Sequence, residues 1–279
     1  MKIRMLAGAA CFAAVCLAAA NPAMAQDAPG PITVSGNVAL VTDYRFRGVS
    51  MTDEEMAIQG GFDVTHESGL YVGTWGSNLS GWGTFGGANM ELDIYGGYAM
   101  EVTDGVTVDV GVTWYMFPGG LDNTDFAEPY IKLSGDIGPA SIQTGVAYAP
   151  KQEALGTWYN SAASADYDNP GDKGDNFYMW TDASFGVPDT GLTLSAHIGY
   201  SNGNPGLGPW GTSPAPTGEY VDWKLGADYA LGPVTLGVAY VDTDISKSEA
   251  AYLMPNFSSS KDGSAIAGST ILFSISGGF

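Results

Sequence analysis

The sequence predicts an all-β protein, a transmembrane antiparallel up-and-down β-barrel of about 12 strands. Three observations predict it. Apolar and polar residues alternate with a period of two in twelve segments; the joins between segments are alternately short and long; and aromatic residues collect at both ends of the apolar faces. Successive side chains on a strand point to opposite faces, so this alternation gives each segment one oily and one polar surface. Beyond residue 25 no stretch sustains a 3.6-residue apolar period, and none holds the ~18 consecutive apolar residues of a membrane helix.

A leader precedes the barrel. Lys2 and Arg4, the apolar run 6–20 and the small-residue site Ala23-Met24-Ala25 predict a secretory signal peptide over 1–25. A short linker, 26–31, and a single barrel domain, 32–279, follow. Cys11 and Cys16 both fall in the leader, so the exported chain holds no disulfide or thiolate metal site. Losing Lys2 and Arg4 from the 10 basic residues leaves 8 against 30 acidic ones, a net charge of −22. Such a surface excludes nucleic acid, whose binding needs Lys and Arg on phosphates, and attracts cations.

The segments run in order 32–47, 56–66, 70–78, 89–100, 106–117, 126–135, 140–150, 176–187, 192–201, 219–230, 234–244 and 264–279. In the first, Val34, Val38, Leu40, Tyr44 and Phe46 share the oily face, and Ser35, Asn37, Asp43, Arg45 and Arg47 the polar one. Met90, Leu92, Ile94 and Tyr98 alternate with Glu91, Asp93 and Tyr95, and four valines from Val106 to Val112 alternate with Thr107, Asp109 and Gly111. Val221, Trp223 and Leu225 face away from Asp222 and Lys224. Either face of 70–78 could be the oily one. Short, turn-forming joins lie at 67–69, 102–105, 136–139, 188–191 and 231–233; long ones lie at 48–55, 79–88, 118–125, 151–175, 202–218 and 245–262. Twelve spanning strands require five periplasmic turns and six outer loops, which matches.

Tyr44, Phe46, Trp114, Tyr148, Phe177, Tyr200, Trp223 and Tyr240 sit on oily faces near the loop ends, and Tyr98, Phe185, Tyr229 and Phe279 near the turn ends. Two aromatic girdles are expected of a barrel crossing a membrane. The last segment places Ile271, Phe273, Ile275 and Phe279 on one face. These features predict the outer membrane of a Gram-negative bacterium, with lipid and lipopolysaccharide as surroundings.

The stretch TDYRFRGVSMTDEEMAIQGGFDVTHESGLYVGTWGSN, residues 42–78, closely resembles the start of the TorF-type porins, also called the Gcw_chp domain. The likeness extends loosely over 32–279, and Met51 and Met56 stand where that family is expected to carry Gln and Pro. The resemblance implies an outer-membrane barrel and says little about its solute.

The strand phases predict a pore lining of Asp43, Arg45, Arg47, Asp63, Glu91, Asp93, Asp109, Glu128, Lys132, Asp182, His197, Asp222, Lys224 and Asp228. Nine acids against four Lys and Arg give this wall a charge of −5, which predicts weak cation selectivity. Arg45 and Arg47 have two readings: an ion-selecting ring at the outer mouth, or partners of Asp43 and nearby acids in a network that plugs the barrel. Glycines of the polar face, such as Gly61, Gly97, Gly111 and Gly145, make room for larger lumen side chains.

No metal, cofactor or enzymatic activity is predicted. DYDNPGDKGD, 166–175, superficially resembles a calcium loop, but Pro170 takes the third ligand position and Phe177 the twelfth. The only histidines are His66 and His197, and GxSxG, HExxH and phosphate-cradling glycine loops are missing. His66, with Ser68 two residues on, could serve a lipid-facing hydrolytic site; the favoured reading is an interfacial polar residue. The function predicted is a porin-like channel for passive diffusion of small hydrophilic solutes or ions. The alternative is a non-conducting barrel whose acidic outer loops bind ions, lipopolysaccharide or a partner.

Overall fold

The computed structural model describes residues 30–160 and 166–279. The predicted leader, with both cysteines, lies outside the described residues. Twelve antiparallel strands close into one barrel: β1 Ile32–Val41, β2 Ala57–His66, β3 Leu70–Asn78, β4 Met90–Thr103, β5 Val106–Met116, β6 Phe126–Ile137, β7 Ala140–Gln152, β8 Gly174–Gly186, β9 Leu192–Gly203, β10 Glu219–Leu231, β11 Val234–Thr243 and β12 Thr270–Gly278. Each strand pairs with its sequence neighbours, and β1 closes on β12 in the register Asn37↔Gly278 to Val41↔Ser274. Closure removes the open edges that would leave backbone N–H and C=O groups unpaired in lipid.

Burial follows the predicted phase. Val38, Ile58, Phe62, Ile94, Val110, Val112, Ile131, Leu225 and Phe273 point outward, while Glu91, Asp93, Asp109, Glu128, Lys132 and Asp222 are buried inside. The open question at β3 resolves with Leu70 and Val72 outside and Trp75 inside. Tight turns close one end, four of them with a glycine in the left-handed region: Gly69, Gly105, Gly138 and Gly232. Long loops cap the other end, so by the asymmetry of such barrels that end faces outward.

Two segments depart from period-two reasoning. β1 ends at Val41, not at 47, and the 42–56 loop folds into the barrel. There Arg45↔Ser50 and Phe46↔Val49 form a miniature hairpin, turned by Arg47 (φ 47°) and Gly48 (φ 82°). Two successive positive φ angles are those of a two-residue type I′ turn. Tyr44 and Phe46 therefore do not meet lipid; they are buried in the mouth. Extended chain preserves alternation whether it continues a wall or turns inward, so the pattern could not distinguish the two. Likewise β12 begins at Thr270, and Ile266 and Ala267, expected within the last strand, are buried in the 244–269 loop.

The barrel's mouth holds an apolar core. Tyr44, Phe46, Trp75, Trp82, Phe85, Tyr115, Phe117, Phe126, Leu253, Phe257 and Ile266 pack in one cluster. Its rings meet edge-on at Trp82–Phe257 and Phe85–Phe117, both 4.8 Å between centroids, and stack at Tyr115–Phe126. Edge-to-face and offset contacts at this spacing are the favourable ones for aromatic pairs.

Candidate functional site: a stoppered lumen

The hairpin buries the two arginines inside the barrel, where they are 4% and 3% exposed. Burying a guanidinium costs several kcal/mol unless it is paired and hydrogen-bonded, roughly as for any ion. Both are. Arg45 donates from Nε to Asp43 Oδ2 at 2.6 Å and from Nη1 to the carbonyls of Gly48, Ile266 and Gly268; its Nη2 lies 3.5 Å from Glu54. Asp43 accepts in turn from the Ser50 hydroxyl at 2.6 Å and Thr52 at 3.1 Å. Arg47 reaches across the lumen to β6, where Nη2 lies 2.7 Å from both oxygens of Glu128. Its guanidinium stacks 3.9 Å over the Tyr178 ring of β8, and Asn176 accepts from Nη1 at 2.7 Å when its amide oxygen faces the arginine. Both arginines are ion-paired, Arg45 to Asp43 and Arg47 to Glu128. Asp43, Arg45 and Arg47 lie in the 42–56 segment and not on a strand of the barrel wall.

The other predicted lining residues come from strands, on the face opposite the exposed apolar one. Tyr44 donates to Glu91 Oε1 at 3.1 Å, and Asp93 is buried two residues further along β4. Asp63 accepts from Tyr95 at 2.6 Å. Asp109 accepts from Tyr71 at 2.6 Å and pairs with Lys132 at 2.7 Å, whose ammonium also lies 4.5 Å from the Tyr130 ring centroid. His197 puts Nδ1 2.7 Å from Asp182 and Nε2 3.1 Å from both Asp222 and the Tyr178 hydroxyl. Lys224 and Asp228 line a cavity under the hairpin with Asp43, Arg45, Gln59 and Ser195. Lys224 makes no ion pair with a described residue. The other lumen cations are each matched to a particular acid, and the acids remain in excess.

Sequence reasoning missed the lumen aromatics Tyr71, Tyr115 and Tyr178, which donate to Asp109, Glu128 and Asp222, and Tyr130, whose hydroxyl meets that of Tyr71. Their signal was present, since Tyr130 shares the inward phase of Glu128 and Lys132 on β6. The glycine expectation holds in three of its four examples: a Cβ would strike the Tyr71 hydroxyl at Gly97, that of Tyr130 at Gly111 and the Trp180 ring at Gly145. At Gly61 the obstacle is the Thr74 carbonyl of the adjoining strand.

The remaining candidates are local. In 166–175, Asp168 accepts from the Asn160 amide at 2.8 Å, Asp172 from the Thr157 amide at 2.9 Å, and Asp175 from Tyr148 at 2.6 Å; these acids close their loop. His66 Nδ1 lies 2.8 Å from Ser68 Oγ and accepts from the Ser68 amide at 3.1 Å, the pattern of a tight turn. No carboxylate orients that ring among the described residues.

The barrel superposes on two solved porins. A NanC porin aligns at TM-score 0.52 with 10% identity, covering 88% of this chain and 98% of that one. A KdgM porin, in complex with disordered oligogalacturonate, aligns at 0.50 with 6% identity and the same coverage. Identities this low speak for the fold. No curated protein matches the chain. A closed twelve-strand barrel with an apolar outer face and porin-like fold is a protein of the bacterial outer membrane. The Gcw_chp model, described as a bacterial protein of unknown function, matches residues 25–279 without carrying the TorF name, and this chain belongs to that Gcw_chp family.

Proposed function

We propose that the barrel is an outer-membrane channel for small hydrophilic solutes, preferring cations, whose outer mouth is stoppered by the 42–56 hairpin. The observation that carries it is a polar, acid-rich lumen whose arginines and Lys132 are bound to specific carboxylates. Charged linings set ion preference in pores, and what remains here is negative. KdgM is described with an oligogalacturonate; a lumen with an excess of acids selects the opposite charge. The second reading, a barrel that never conducts, draws on the packed mouth. Reconstitution into a planar bilayer separates them. Conductance with a cation-favouring reversal potential in a salt gradient is the expected result. Silence at every applied voltage, for the wild type and for variants that loosen the hairpin, rejects the channel.

Opening requires the hairpin to part from the 244–269 loop. Their clasp joins Asp53 to the Ser260 hydroxyl and amide, Glu55 to Lys261 at 2.6 Å, Glu54 to Ser264 at 3.0 Å, and the Ser50 amide to the Ile266 carbonyl at 2.9 Å. Burial pushes the Asp53 carboxyl up. Hydrogen bonds from Ser260 and Ser259 and the charge of Lys261 outweigh that and hold it below the usual carboxylate range. A depressed carboxyl stabilises its contacts above its ordinary value and loses them as pH falls through the lowered one. Acid on the outer side is therefore expected to raise conductance, and Asp53→Asn should remove that step. A profile unchanged in Asp53→Asn would show that this clasp is not the acid-sensitive element.

A further inference from the structure

Away from the lumen, three outer loops enclose an open cleft. Thr157 and Asn160 line it on one side, Thr217 of the 204–218 loop and Ser248, Glu249 and Tyr252 of the 244–269 loop on the others, around about 600 Å³ of free space. That volume falls in the range of small-molecule sites. The geometry points to a binding site for a neutral or N-acetylated oligosaccharide on the outer face of the barrel.

The walls are held in place by groups that leave their remaining valences for a ligand. Tyr252 donates its hydroxyl to the Pro216 carbonyl at 2.8 Å, which fixes the ring, yet the residue stays 41% exposed. A fixed, uncovered aromatic face is a platform for the C–H face of a pyranose, an apolar surface rimmed by hydroxyls. Thr157 donates to the Pro205 carbonyl at 3.0 Å, which turns its oxygen's lone pairs to other donors. Asn160 Oδ1 accepts from Asn169 at 3.2 Å, and its amide hydrogens donate to no described residue. The Thr217 hydroxyl has no hydrogen-bond partner among the described residues although its oxygen is buried. Buried hydroxyls are rarely left in that state. Glu249 is clamped in a capping box, its amide donating to Ser246 Oγ at 3.2 Å and one carboxylate oxygen accepting from the Ser246 amide at 2.8 Å. Gly206 lets the loops approach closely, because a Cβ there would lie 2.7 Å from the Thr157 methyl.

The chemistry excludes other ligand classes. No Lys or Arg is among the described residues lining the cleft, which disfavours phosphates and sulfates. Glu249 repels uronates and tolerates uncharged sugars. A pattern of hydroxyls, one amide, one carboxylate and one open ring is matched by a molecule that alternates donors and acceptors around an apolar ring.

The test uses the full barrel in an amine-oxide detergent, since glucoside and maltoside detergents would compete. Maltotriose, triacetylchitotriose and trigalacturonate are titrated by calorimetry. At least one of the first two is expected to bind, with trigalacturonate excluded. Tyr252→Ala should weaken binding about tenfold, Tyr252→Phe should keep most of it, and Glu249→Gln should admit trigalacturonate. The proposal is overturned if neither neutral trisaccharide binds more tightly than about 10 mM, or if trigalacturonate binds the wild type best. It is equally overturned if a folded Tyr252→Ala binds as the wild type does. Should Tyr252→Ala not fold, Glu249→Gln decides: continued exclusion of trigalacturonate rejects the site.

Discussion

Arg47→Ala is expected to loosen the stopper and raise single-channel conductance severalfold in planar bilayers. The side chain joins the tip of the hairpin to two strands at once, through Glu128 on β6 and the Tyr178 ring on β8. Removing it leaves the Glu128 carboxylate, 2% exposed, without its counter-charge. Breaking a buried pair from one side costs about 3–5 kcal/mol, far above the 0–1 kcal/mol typical of exposed pairs. Part of that cost is recovered when the hairpin swings out and water reaches Glu128, so the disturbance favours the open state. The variant should also shift the reversal potential further toward cations. Arg47→Gly makes a useful companion. Its backbone suits the positive φ at this position better than any side-chain-bearing residue, so it removes the ion pair while relieving turn strain. If both variants conduct like the wild type, the hairpin is not what limits flow.

The second large effect is expected at Gly48→Val. A β-branched residue at φ 82° is a conformational outlier, and left-handed backbone costs an ordinary residue about 1–2 kcal/mol. The site is also full. A Cβ on Gly48 would collide with the methyl of Thr243 and lie 3.1 Å from the Asp222 Cβ. Overpacking of this sort adds roughly 1–3 kcal/mol. Gly105→Ala separates the two contributions, since Gly105 also has a positive φ (73°) but open space around it. Urea unfolding in detergent should therefore show a larger loss for Gly48→Ala than for Gly105→Ala. Gly48→Val should raise conductance, and Gly105→Ala should not. Equal losses at the two positions would mean that the hairpin tip is not tightly held.

What could be read from the chain depended on how local each feature is. Alternation is set by neighbouring residues, so Val34, Val38 and Leu40 could be turned outward and Glu91, Asp93 and Asp109 inward without knowing their surroundings. The stopper is different. Residues 42–47 continue the alternation of β1, and nothing in Tyr44 or Phe46 says that their oily face meets other rings and not lipid. The pair Arg47-Gly48 is a usable turn signal, since a glycine at the second central position suits a type I′ turn. Asp43 could be read as a partner of the arginines, but the other partners of Arg45 were out of reach. The Ile266 and Gly268 carbonyls and Glu54 lie in loops whose path follows from tertiary packing, and a carbonyl carries no sequence signature. Glu128 was recognisable as a lumen acid, but its pairing with Arg47 needs the hairpin to cross the barrel.

The barrel is thus solvated by lipid on its outside and by its own rings at its mouth, where Trp82, Phe85, Phe117 and Phe257 gather as they would inside a water-soluble domain. The two environments answer temperature differently. Burial of apolar surface from water weakens on cooling, whereas strands fully paired in hydrocarbon have no water to return to. The closure at the mouth inherits a stability curve that is domed in temperature, tightest in the middle and looser toward both cold and heat, while the surrounding cylinder stays shut.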